Sequence, residues 1–93
     1  MTIGLLTVVI FIQDSNSLKE KRMVLHSFKK RLSNSFNVAI SQIADEDKWQ
    51  KATLAIVGVE RERKNMDSLL SKVINFIEDF PGIDIINHQM ELL

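Results

Sequence analysis

The sequence contains no cysteine, one proline, one tryptophan and three glycines, and its 12 basic and 12 acidic side chains cancel. Without thiols there is no disulfide and no thiolate metal centre, which fits a reducing compartment; a cytoplasmic location is the expectation. Balanced total charge means that no bulk attraction drives the chain onto nucleic acid or a membrane. No hydrophobic run reaches the roughly 20 residues of a membrane-spanning helix. The apolar stretch at residues 3–12 lacks a basic flank and a small-residue cleavage site, so it reads as a buried strand and not as a leader. Gly-rich phosphate loops, G-x-S-x-G elbows and H-E-x-x-H helices are also missing.

At 93 residues, 45% hydrophobic and 26% charged, the chain has the size and composition of one globular domain spanning residues 1–93. Residues 1–12 are apolar on both alternating faces, as in a mid-sheet strand. Residues 13–16 form a polar loop. Ser17 and Glu20 make an S-x-x-E capping box for a helix reaching about Ser33, with Leu18, Leu25, Phe28 and Leu32 on one face and Val24 beside them. Residues 36–43 read as a less buried edge strand and 52–59 as a second, almost wholly apolar one. Asn65 is the expected cap of another amphipathic helix, carrying Met66, Leu69, Leu70, Val73, Ile77 and Phe80. Pro81 and Gly82 stop it, and residues 83–92 return as a strand of mixed polarity.

The order βαββαβ predicts a ferredoxin-like α+β fold, with a four-stranded antiparallel sheet and two helices on one face. The first and third strands should be central, because they are the continuous apolar runs. The opposite sheet face then lies uncovered without a polar set of residues, and a homodimer or a stable protein complex through that face is expected.

The charge is sorted, not mixed. Residues 17–31 hold six basic side chains and one acidic one, so the remainder of the chain sums to −5. Projected at about 100° per residue, Lys19, Arg22, His26, Lys29 and Lys30 share one arc of about 100° flanking the core face, with Lys21 and Arg31 outside it. One reading is a solvated helix face. The other is a polyanion-binding stripe, with Arg22 gripping phosphate bidentately and the lysines acting as point charges.

Other residues give less. His26 and His88 are far apart and outside any ligand spacing, so no metal or cofactor is expected. Asp45, Glu46 and Asp47 are consecutive and diverge, as in a solvated turn. No serine lies near a histidine at a suggestive spacing, and without a catalytic constellation the protein is expected not to be an enzyme. Trp49 is either a lid over the core edge, its indole N–H finding a polar partner, or a stacking platform. An RNA-recognition-motif sheet needs aromatics on both central strands; here only Phe11 qualifies, so any RNA contact should run through the helix to the backbone.

SLKEKR at residues 17–22, FNV at 36–38, WQKATL at 49–54 and the ELL ending at 91–93 resemble the YlxP-like family of small bacterial domains of unknown function. The shared pattern falls on Ser17, Leu18, Lys19, Glu20, Lys21, Arg22, Phe36, Asn37, Val38, Trp49 and Gln50. Gln42 and Asp45 depart from it, where glutamate and histidine are expected, which weakens any acid–base pair in that loop. The resemblance implies a ferredoxin-like domain of the bacterial cytoplasm, encoded beside translation and ribosome-maturation factors. The leading expectation is a non-enzymatic, ribosome- or translation-associated protein contacting RNA through Lys19, Lys21, Arg22, His26, Lys29 and Lys30. The alternative is a protein–protein module, a homodimer through the open sheet face with no nucleic-acid role. No membrane or DNA partner is expected.

Overall fold

Alternation on the first strand sets the architecture. In the computed structural model, which describes all residues 1–93, β1 (Thr2–Ile12) buries Leu6, Val8, Ile10 and Ile12 on one face. It leaves Ile3, Leu5, Thr7, Val9 and Phe11 partly exposed on the other. β3 (Lys51–Glu60) repeats the pattern with Ala52, Leu54 and Ile56 buried. These two strands pair antiparallel at the centre of a sheet ordered β2-β3-β1-β4. The edges are β2 (Val38–Ala44) and β4 (Ile83–Leu92), both antiparallel to their neighbours. The expected ferredoxin-like α+β fold is therefore present, with the two apolar strands in the middle.

Helices α1 (Leu18–Ser35) and α2 (Arg63–Glu78) cover the inner face. One cluster of 16 buried residues joins Leu25, Phe28 and Leu32 of α1 and Met66, Leu70, Val73, Ile74 and Ile77 of α2 to the inner residues of the sheet. An aromatic group locks the helices together: the Phe28 and Phe80 rings meet edge-on at 5.1 Å, and Phe76 bridges Phe28 and Phe36. Such pairs contribute about 0.5–1.5 kcal/mol each beyond the area they bury. Gly4 and Gly58 face each other across β1 and β3 under the start of α2. A Cβ on Gly4 would fall 2.7 Å from Met66 Cγ, so the bare backbone is what lets α2 approach the sheet.

Two local expectations are corrected. Ser17 does accept from the Glu20 amide at 3.1 Å, but Glu20 reaches back to the Asn16 amide and not to that of Ser17. Asn65 does not cap α2. The cap is Glu62, in extended backbone, whose carbonyl accepts from the Asn65 and Met66 amides, and no side chain contributes.

Candidate functional site: the basic face of the first helix

The capping box starts α1 just before Lys19, and a 3.6-residue period then distributes its cations. Lys19, Arg22, His26 and Lys30 are exposed, and Lys29 is partly so. None of them is within ion-pair distance of a carboxylate. The two ion pairs of the molecule, Lys51–Asp45 at 4.0 Å and Lys64–Glu62 at 3.5 Å, lie elsewhere. Glu20, the acid nearest in sequence, is occupied by the Asn16 amide. From Lys19 to Lys30 the stripe runs about 16 Å along the helix axis.

Where α1 overhangs β2, the stripe borders a cleft of about 230 Å³ lined by Arg22, Leu25, His26, Lys29 and Gln42. Four larger depressions differ in character: one beside β4 includes Glu78 and Asp84, one at the end of β3 includes Glu60 and Glu62, one beside Phe36 and α2 includes Glu60, and one beside Phe80 has Arg31 as its single charged side chain. Carboxylates oppose a polyanion in the first three and the fourth holds one basic side chain, whereas the α1–β2 cleft carries three and none of opposite sign.

Arg31 points to the other side of the helix, its guanidinium 5.0 Å above the Phe80 ring, in keeping with its place outside the arc.

Lys21 is a correction. It was expected among the RNA-contacting cations, yet only 2% of its surface is exposed. The spacing Lys21, Leu25, Phe28, Leu32 is that of the buried face, and that face turns the lysine inward. Its ammonium donates to the main-chain carbonyls of Asp45 and Lys48, 2.5 Å from each, closing the loop between β2 and β3. Burial pushes its pKa below the ordinary lysine value, opposed by the neighbouring carboxylates of Asp45, Asp47 and Glu46. Asp45 itself has φ 65° and accepts from the Thr53 hydroxyl at 2.7 Å, so the turn is fixed from both ends. Heptad-like spacing from Leu25 was the available signal for an inward Lys21; its partners, 24 and 27 residues away, left none.

Trp49 follows immediately on the loop that Lys21 holds. It is 56% exposed and stands outside the core cluster, so of its two readings, core-edge lid and stacking platform, the lid is not formed. His88 lies exposed on β4, on the opposite edge of the sheet from β2. No group of three His, Asp or Glu side chains is arranged to hold a metal ion, and no helix is long and apolar enough to cross a membrane.

Two helices on one side of a βαββαβ antiparallel sheet, with an unpaired cationic stripe on the first helix, define a small ferredoxin-like α+β domain. The chain belongs to the family described as protein of unknown function (DUF503), which it matches over residues 3–90. It is 40% identical over 82 residues to the uncharacterized protein YlxP of Bacillus subtilis (strain 168), covering 88% of this chain and 89% of that protein.

Proposed function

We propose that this protein is a non-enzymatic accessory factor that binds RNA through the phosphate backbone, using the outer face of α1. The observation that carries the reading is the absence of any carboxylate within ion-pair distance of Lys19, Arg22, His26, Lys29 and Lys30 in a chain of zero net charge. Unpaired cations aligned on a rigid helix attract a polyanion, and release of its counterions drives the association. The link to translation and the ribosome comes from the family resemblance. The test is sucrose-gradient fractionation of a native lysate, followed by low-salt purification of the protein. Co-migration with ribosomal particles and co-purifying ribosomal RNA support the reading. Migration at the top of the gradient with no RNA attached defeats it.

A second reading is supported by the open sheet face. Leu5, Val9, Phe11 and Val57 form its partly exposed apolar centre, and Glu91, Gln89 and Asn87 of β4 border it in register with Leu5, Thr7 and Val9. An apolar centre with a polar margin is the anatomy of an interface. Four strands of this length present about 600 Å² in plan, near the roughly 800 Å² that each partner buries in a standard complex. A second copy of the chain is the proposed occupant, compatible with RNA bound on the helical side.

A further inference from the structure

The cleft between α1 and β2 contains one group that a purely electrostatic site does not need. Gln42 lies on β2 with its side chain on the helical side, in register with Leu54, and lines the cleft with Arg22, His26 and Lys29. A bulge between Gln42 and Ala44 shifts the strand register there. The Gln42 Nε2 donates to the Ala44 carbonyl at 3.2 Å. Because a carbonyl only accepts, this bond assigns the two ends of the amide, and the Gln42 Oε1 receives no hydrogen bond from the protein.

The lining of the cleft is therefore chemically mixed. Arg22 and Lys29 offer donors and positive charge alone, while Gln42 Oε1 offers an acceptor. The ligand that matches both is an anion with a hydroxyl donor beside it. At about 230 Å³ the space falls below the roughly 300 Å³ lower range of ordinary ligand pockets and suits one small unit of a longer chain. A ribose with its 3′-phosphate has that composition, and deoxyribose lacks the hydroxyl.

We infer that the α1–β2 cleft seats one ribose-phosphate unit of an RNA strand, with Arg22 and Lys29 on the phosphate and Gln42 Oε1 accepting from the 2′-hydroxyl. The inference rests on the RNA reading and adds to it: the stripe supplies affinity, and the cleft distinguishes RNA from DNA. Lys19 and Lys30, which do not line the cleft, contribute charge to both polymers equally.

The experiment is fluorescence anisotropy with the whole protein, using labelled oligouridylate and oligodeoxyuridylate of equal length at one low salt concentration. These probes share base and charge and lack stable secondary structure. The RNA form should bind about three- to tenfold more tightly, the range expected of one hydrogen bond. A 2′-O-methyl oligouridylate, which loses the donor without any change to the protein, should fall to the affinity of the DNA form. Gln42→Met should erase the preference by weakening RNA alone, whereas Lys19→Gln should weaken both and keep the ratio. Equal binding of the two polymers by the unaltered protein overturns this inference while leaving the RNA reading intact. A preference that survives both Gln42→Met and 2′-O-methylation also overturns it. Binding of neither polymer overturns the inference and the RNA reading together.

Discussion

The buried ammonium of Lys21 donates to the main-chain carbonyl of Asp45, 24 residues further along the chain, and so fastens the β2–β3 loop to the first helix. The same nitrogen holds the Lys48 carbonyl. Replacing it with methionine keeps the aliphatic stem and removes both donors, leaving the Lys48 carbonyl without a partner and the Asp45 carbonyl with the Lys48 amide alone. At about 1–3 kcal/mol for each unsatisfied buried group, less where water enters the loop, Lys21→Met should destabilise the fold by about 2 kcal/mol. Urea unfolding followed by circular dichroism measures this. A midpoint unchanged from the parent protein would contradict the role given to the lysine.

The pH dependence of that loss has a definite sign. Burial lowers the folded-state pKa of Lys21 below its value in the unfolded chain, so between the two values the unfolded state binds more protons. Stability from this group is lost as pH falls through the folded pKa and is fully present above the unfolded one. The parent protein should therefore gain stability relative to Lys21→Met as pH rises from neutrality toward the ordinary lysine range. Parallel urea titrations at several pH values test it, and a flat or opposite trend refutes it.

The core was legible because its signal is local. The apolar runs of β1 and β3 placed them at the centre of the sheet, and a three- and four-residue period placed Leu25, Phe28 and Leu32 on the inner face of α1. Lys21 shares that period, but a charge on a buried face survives only with distant acceptors, and the Asp45 and Lys48 carbonyls cannot be read from spacing. Trp49 was open to two readings, core-edge lid or stacking platform, and only its 56% exposure, which spacing does not encode, sets the lid aside. Gln42 stood out in the sequence only as a departure from a family pattern. Its relation to Arg22 and Lys29 exists only once α1 lies over β2. Asn65 looked like a cap by composition, yet the backbone enters α2 at Glu62, where a carbonyl does the work without help from a side chain.

Arg22 and Arg31 lie on one helix but in different settings, which makes them a matched pair for salt dependence. Arg22 lines the basic cleft, whereas Arg31 is stacked on Phe80. If Arg22 meets one phosphate, Arg22→Gln should reduce the slope of log affinity against log salt by about 1, and Arg22→Gln with Lys29→Gln by about 2. Arg31→Gln should leave the slope in place. Filter binding of a ribosomal RNA fragment between about 50 and 200 mM salt reads all three. Equal slopes for the two arginine variants would remove the α1 stripe as the contact surface.

Gly4 tests the close approach of α2 to the sheet. An alanine there places its Cβ 2.7 Å from Met66 Cγ and 3.2 Å from a Leu70 methyl, so Met66 must leave its place in the core or the helix must lift. Overpacking of this kind costs about 1–3 kcal/mol. Gly4→Ala should lower the urea midpoint, and adding Met66→Ala, which empties the space the methyl needs, should cost less than the two single changes summed. Strict additivity in that cycle would mean that the glycine is not there to admit Met66.

The open sheet face yields the last prediction, and it separates the two surfaces of the molecule. Leu5 lies on the outer side of β1, between Val57 on β3 and Glu91 on β4. If a second copy covers this face, Leu5→Lys places a charge in the centre of each half of the interface, and by two-fold symmetry every dimer must bury two. The variant should fold, because residue 5 is outside the core cluster, and sediment as a monomer at concentrations where the parent is a dimer. Its affinity for a short RNA should not fall, since α1 is on the opposite side of the sheet. A parent protein that is itself monomeric at micromolar concentration would dispose of the dimer. A dimer that survives Leu5→Lys would move the interface elsewhere, with the unpaired edge of β4 as the next surface to examine.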